Sequence, residues 1–160
     1  MSKFEIEFKW ALYFTGFNLL WLSLEKLLGW HDAHIQQHAF YSLLIIFPMI
    51  AFYVFALLEK RDKYFEGKAT WQQLFLAGGV LSLIIAGISP ATVFYMNKFL
   101  SPQFIDLAIE NYVAREGKLE VATNFNSIEA YIKNAILFNV SMGIVIAAGV
   151  ASFLKTVKKG

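Results

Sequence analysis

The sequence predicts an all-α membrane protein: a single domain over residues 1–160 with four transmembrane helices and an amphipathic extracytoplasmic helix between the third and fourth. Apolar residues make up 58% of the chain and charged residues only 16%, against roughly 25% charged residues in typical soluble domains. The chain has too few polar residues to cover the surface of a soluble protein of its size, so we expect lipid around it. The apolar runs are continuous, which favours helices, because a helix satisfies its own backbone hydrogen bonds in lipid.

Four apolar runs are long enough to cross a bilayer, which needs about 20 helical residues. They cover residues 10–30, 39–58, 71–95 and 135–154. Proline interrupts helical hydrogen bonding, so Pro90 is expected to kink or end the third span.

The connections between these spans differ in kind. A tight turn joins the first two spans into an antiparallel hairpin, whereas about 35 residues join the last two, too many for a structureless loop. Ser101 and Pro102 are typical of a helix start and Gly117 of a helix end. We therefore predict an amphipathic helix over residues 101–116, lying on the outer membrane surface or capping the bundle. Ser127 offers an N-cap for the last helix.

Lysine and arginine placement predicts the orientation, because these residues concentrate on the cytoplasmic side. One side of the membrane would carry nine of them: Lys3, Lys9, Lys60, Arg61, Lys63, Lys68, Lys155, Lys158 and Lys159. The other side would carry four: Lys98, Arg115, Lys118 and Lys133. Both termini and the middle loop are therefore expected in the cytoplasm.

The sequence favours a protein without catalytic machinery of a familiar kind. It has no cysteine, which excludes disulfides, thiolate metal ligands and cysteine catalysis. It also lacks a glycine-rich phosphate loop, a serine elbow and a His-Glu-x-x-His helix. The basic middle loop, residues 59–68, favours contact with anionic lipid, and no nucleic-acid partner is expected.

The first hairpin carries the candidate metal ligands. Glu25 lies near the outer end of the first span, and His34 and His38 are four residues apart at the start of the second. Because the two helices run antiparallel, Glu25 and His38 are expected at similar depth. A carboxylate with two imidazoles is the ligand set of many zinc and non-haem iron sites. Two residues of the turn could complete it: His31 and Asp32.

A structural role for the same residues is the more usual reading and needs no cofactor. A charge in this position is costly unless it is paired. Glu25 would then pair with Lys26 or accept a hydrogen bond from His38 and pin the hairpin. His31 and His34 would face the lipid head groups.

Polar and small residues within the spans suggest helix contacts. Asn18 and Asn139 could bond to each other, the simpler reading, or line a small polar cavity. Gly143, Ala147 and Ala151 repeat every four residues along the last span, and such stripes allow helices to approach closely. The stripe would face another helix of the same chain or a partner helix.

Short motifs follow one another along the whole chain. They are Leu20-Trp21, Leu24-Glu25-Lys26-Leu27-Leu28-Gly29, His31-Asp32, His34-Ile35, His38, Gly67-Lys68, Ser89-Pro90, Ser101-Pro102, Gly117-Lys118, and Ser127 with Tyr131. Together they resemble the signature of a Bacteroidota membrane family known as domain of unknown function 4199. The resemblance implies four helices, a Gram-negative inner-membrane location and a link to cell-envelope or polyprenyl-phosphate glycan metabolism. It implies no activity and no site.

Three functions remain open from the sequence. The first is a non-catalytic accessory or scaffolding subunit of a membrane complex, with a protein partner or a second copy of the chain beside it in the bilayer. The second is a small oligomeric transporter or channel, although Glu25 lies closer to the outer surface than such proteins usually require. The third is a metal-binding protein that holds zinc or iron at the first hairpin.

Overall fold

A computed structural model describes residues 3–156, so Lys158 and Lys159 of the orientation argument lie outside the described part. Within it the chain forms seven α-helices and no strand. They are α1 (Glu5–Leu27), α2 (Ile35–Ser42), α3 (Ile46–Glu59), α4 (Trp71–Tyr95), α5 (Phe104–Glu116), α6 (Leu119–Phe125) and α7 (Ile128–Leu154). The predicted all-α class is confirmed.

Three helical segments among the described residues are long and apolar enough to cross a membrane: Ile35–Tyr64, Trp71–Leu100 and Ile128–Leu154. The first joins α2 and α3 through a short 3-10 turn, Leu43–Ile45. Pro48 follows this turn and has no N–H to donate to the carbonyl four residues earlier, which explains the tighter winding there.

The helix α4 continues past Pro90 to Tyr95 rather than ending at the proline. A proline removes the hydrogen bond to the carbonyl four residues before it, which here belongs to Ala86. The hydroxyl of Ser89 donates to this same carbonyl oxygen over 2.8 Å. The serine therefore compensates for the proline inside an apolar helix.

The small residues of α7 face α4 within the same chain. A Cβ atom added to Gly78 would overlap Ala147, and one added to Gly143 would overlap Ser82 and Tyr53. The Tyr53 hydroxyl and Ser82 Oγ lie 2.8 Å apart, and both residues are fully buried. The stripe is thus buried inside the monomer. Of the two neighbours that the sequence allowed, a helix of the same chain or a partner helix, the stripe faces the helix of the same chain.

Hydrogen bonds and ion pairs join the start of α1, the α3–α4 connection and the end of α7 at one end of the bundle. The buried Lys60 ammonium lies 2.8 Å from Glu7 Oε1 and also donates to the Lys3 carbonyl. The Thr156 amide donates to the Ala69 carbonyl over 2.8 Å. Since a buried charge requires a partner, the Lys60–Glu7 pair fixes α1 against α3.

The connection from α4 to α7 is helical, as its length predicts. Gly117 ends α5 with a φ of 72°, and Ser127 caps α7 by accepting from the Ala130 amide over 3.1 Å. Both of these predicted helix ends are confirmed. The predicted start at residue 101 is wrong by three residues, because the Ser101 side chain contacts His31 instead of capping α5.

Replacing Gly143 by Leu should destabilise the folded protein by about 3 kcal/mol, the upper end of the cost of overpacking, because no space exists against Ser82 and Tyr53. The control is Gly149→Leu in the same helix, where an added Cβ meets nothing within 4 Å. Thermal unfolding in mild detergent measures both. Equal stability of the two variants would contradict the close α4–α7 contact.

Candidate functional site

The turn between α1 and α2 folds back on the end of α1. The Trp30 amide donates to the Glu25 carbonyl over 3.0 Å, and the His34 amide donates to the Gly29 carbonyl over 2.7 Å. Gly29 has a φ of 76°, a left-handed conformation that side chains disfavour. This reversal turns His31 into the interior of the bundle.

His31, Glu25 and His38 meet there, and we call these three side chains the Glu25 cluster. Glu25 Oε2 lies 3.1 Å from His31 Nε2 and 3.7 Å from His38 Nε2. The Trp21 indole N–H donates to the other carboxylate oxygen of Glu25 over 2.7 Å. His31 Nδ1 lies 2.8 Å from Ser101 Oγ. Glu25 is 1% exposed and His31 is 1% exposed, so the cluster is a buried polar network.

The structure brings Glu25 and His38 together, as the antiparallel hairpin predicts, but it leaves His34 out. His34 is exposed and precedes the first helical residue of α2, with a φ of −119° and a ψ of 30°. A spacing of four places two residues on one face only when both are helical. His31 takes the place predicted for His34.

Lys26 and Asp32 pair with each other on the surface and do not join the Glu25 cluster. The Lys26 ammonium donates to Asp32 Oδ2 over 2.7 Å, and the Ala33 amide donates to Asp32 Oδ1 over 2.6 Å. The hydrogen bond from Lys26 lowers the pKa of the Asp32 carboxyl. Of the two partners predicted for Glu25, Lys26 therefore pairs with Asp32 instead, and the Glu25 carboxylate lies beside the imidazoles of His31 and His38.

Phe104, at the start of α5, covers the histidines. Its ring centroid lies 5.2 Å from that of His31, 4.8 Å from that of His38 and 5.4 Å from that of Tyr131. Phe104 is 1% exposed. The ring therefore helps to bury His31, whereas the His38 side chain keeps 20% of its surface exposed.

Sequence reasoning missed three contributors to the site: Trp21, Ser101 and Phe104. Trp21 precedes Glu25 by four residues on α1, a spacing that predicts contact on a helix. Ser101 and Phe104 come from the connection before α5, far from the hairpin in sequence. No local pattern connects them with the histidines.

A cavity of about 320 Å³ adjoins the Glu25 cluster between α1, α2, α4 and α7. Glu25 and His38 line it together with leucine, isoleucine, valine and phenylalanine side chains, and most of its exposed wall is apolar. Asn18 and Asn139 both line it too, in agreement with the polar cavity that the sequence left open. The Asn139 amide group donates to the Ala135 carbonyl over 2.8 Å, a bond within its own helix.

The arrangement offers two chemical capacities. The buried carboxylate and imidazoles can hold a cation, either a proton or a metal ion, since each of them is a base. The cavity can hold an apolar group next to that cation, because its wall is mostly apolar and Glu25 and His38 are among its lining residues.

Comparison with known proteins gives one informative result. No curated protein and no solved structure matches the chain. The model of one family covers residues 9–156, nearly the whole chain. This confirms the resemblance read from the sequence motifs, and the chain belongs to the family described as protein of unknown function, DUF4199.

Proposed function

We propose that this protein is a four-span membrane protein with an accessory, non-catalytic role that binds a lipid-like amphiphile in the cavity beside the Glu25 cluster. The observation that carries the proposal is the cavity itself, with a volume of about 320 Å³, mostly apolar walls, and Glu25 and His38 among its lining residues. Ligand pockets begin at roughly 300 Å³ and combine apolar walls with a few convergent polar groups. The bilayer supplies molecules of matching chemistry.

The helix α1 is the fourth span in this proposal. Its 23 residues extend about 35 Å, enough for a hydrocarbon core of about 30 Å. Glu7 contacts Lys60, directly after α3, at one end of the bundle, and Glu25 contacts His38 of α2 at the other. Leu20 is 70% exposed and Leu27 83% exposed on its outer face, which suits contact with lipid. Its polar Glu25 is turned inward.

We place the lysine-rich end of the bundle on the cytoplasmic side of an inner membrane. The ordered start of α1, the α3–α4 connection and the end of α7 meet there, and lysine and arginine favour that side. α5 then lies at the outer surface as an amphipathic cap, with Phe104 and Ala108 buried and Arg115 exposed.

The chemistry of the polar end restricts the head group of the amphiphile. The hydroxyls of Ser89 and Thr92 line the cavity but already donate to carbonyls of α4. The Glu25 carboxylate, the His38 ring, the Ser42 hydroxyl and the Asn18 and Asn134 amides also line the cavity and can meet a ligand. A head group that donates hydrogen bonds or carries a positive charge fits beside a carboxylate. Without a bound cation a phosphate head would be repelled there, so the bare cavity lends no support to a polyprenyl-phosphate ligand.

A small oligomeric transporter is the second candidate because Glu25 is an ionisable residue buried within the bundle beside a cavity. Ionisable residues in such positions often mark transport pathways. Purified protein in sealed vesicles separates the two candidates. A transporter would move protons or a solute across the vesicle membrane, whereas an amphiphile-binding protein would leave gradients intact.

The topology is tested by single cysteines, since the natural chain has none. We expect Glu66→Cys, in the α3–α4 connection, to be shielded from an impermeant thiol reagent in intact spheroplasts. Glu120→Cys, in α6, should be labelled. Both side chains are exposed, and neither change alters the lysines and arginines that set the orientation. Labelling at Glu66→Cys with protection at Glu120→Cys would reverse the orientation, and labelling at both would remove one span.

The cavity is tested by filling it. Ala135 lines the cavity on α7, so Ala135→Phe should remove a co-purifying amphiphile that the natural protein retains. Leu137→Phe is the matched control, because Leu137 is exposed on the same helix. Mass spectrometry of solvent extracts from protein purified in mild detergent measures the retained molecule. A natural protein without a reproducible bound amphiphile, or equal retention by both variants, would contradict the proposal.

A further inference from the structure

We propose that the Glu25 cluster binds one divalent transition-metal ion, with Glu25, His31 and His38 as its protein ligands. This goes beyond the amphiphile cavity, which requires no metal. The set differs from the one that the sequence favoured, because the structure replaces His34 by His31. Neutral imidazoles and a carboxylate suit zinc and ferrous iron.

The distances fit a metal site. Zinc binds imidazole nitrogen and carboxylate oxygen at about 2.0–2.2 Å, so ligand atoms around a tetrahedral ion lie about 3.3 Å apart. The separations of Glu25 Oε2 from His31 Nε2 and His38 Nε2, 3.1 and 3.7 Å, fall on either side of that value. All three ligand atoms lie within 4.8 Å of one another. Small side-chain movements would close the site around an ion.

The charges favour a cation at this point. Glu25 is 1% exposed, and a buried carboxylate is costly unless a positive charge offsets it. The ammonium of the adjacent Lys26 pairs with Asp32. Within the described part of the chain, the ion-pair partners of Glu25 are the two imidazoles, which are neutral unless they take up a proton. A metal ion would supply the missing charge.

Neighbouring groups orient the ligand atoms toward one point. With Nδ1–H of His31 donating to Ser101 Oγ, the Nε2 lone pair faces Glu25 and is free for a metal. The Trp21 indole holds Oε1 of Glu25 and leaves Oε2 toward the histidines. Metal-binding histidines usually have such an outer partner, which fixes the ring and its tautomer.

A three-ligand zinc site keeps a fourth position open, as catalytic zinc sites do and structural sites do not. Glu25 and His38 both line the cavity, so that position would face the proposed amphiphile. Phe104 packs against both imidazoles on another side. The ion would therefore bind the head group directly, through an oxygen or nitrogen atom.

A proton held between His31 and Glu25 can satisfy the same network, so the experiment has to distinguish a bound metal ion from a bound proton. Ser101 O–H would then donate to His31 Nδ1, and His31 Nε2–H to Glu25.

We use the full-length protein in mild detergent, stripped with a chelator and titrated with zinc sulfate. His38→Gln removes a proposed ligand but keeps hydrogen-bonding groups, and the exposed His34→Gln is the matched control.

We expect the natural protein and His34→Gln to bind about one equivalent of zinc, and His38→Gln to bind at least about tenfold more weakly. Cobalt(II) should give visible absorption bands typical of a four- or five-coordinate site, absent in His38→Gln. Ser101→Ala should weaken zinc binding by about 10–100-fold, and it provides a second test if His38→Gln does not fold.

Less than about a tenth of an equivalent of zinc in the natural protein, or equal loss in His38→Gln and His34→Gln, would overturn the metal site. The cluster would then be a proton-holding staple. Amphiphile retention, measured on the same samples, tests the proposed cavity ligand separately from the proposed metal ion. Absent zinc binding with a retained amphiphile contradicts only the metal, whereas a lost amphiphile with bound zinc contradicts only the cavity ligand.

Discussion

The buried carboxylate of Glu25 determines how one end of this bundle is built. A charge in a low-dielectric interior needs hydrogen bonds and an opposite charge, and its partners come from different parts of the chain. Trp21 belongs to the same helix, His31 to the following turn and His38 to α2. Through His31, Ser101 joins the connection before α5 to the network. One carboxylate thereby fixes the turn, the register of α2 and the connection that leads into α5.

The cavity arises where close packing ends. From Gly143 to Ala151, the small residues of α7 let α4 approach, and the interface is tight. One turn before Gly143 the same helix presents Asn139 and then Ala135, which line the cavity. A close helix contact and a cavity wall are thus consecutive along α7, and the small-residue stripe marks where the close contact lies.

Local signals predicted the helices well, and contacts between distant segments account for the errors. The third span, residues 71–95, coincides with α4, and Gly117 and Ser127 end and begin helices as their conformational preferences require. His34 was placed in the site by helical spacing, but α2 begins after it. Neither the burial of His31 nor its contact with Ser101 has a local signature, since both depend on how the turn folds back against the α4–α5 connection.

The position of the cavity limits what the Glu25 cluster can bind. Glu25 and His38 line the cavity, whereas His31 lies behind them against Ser101. A ligand in the cavity would therefore meet the Glu25 carboxylate and the His38 imidazole, while His31 contacts Glu25 from outside the cavity lining. Without a cation, that face accepts hydrogen bonds and disfavours anions. With a divalent ion it becomes electrophilic and attracts the oxygen or nitrogen atoms that the bare cluster would repel. If the proposed amphiphile and cation both bind, the identity of the cation would thus decide which class of head group the cavity accepts.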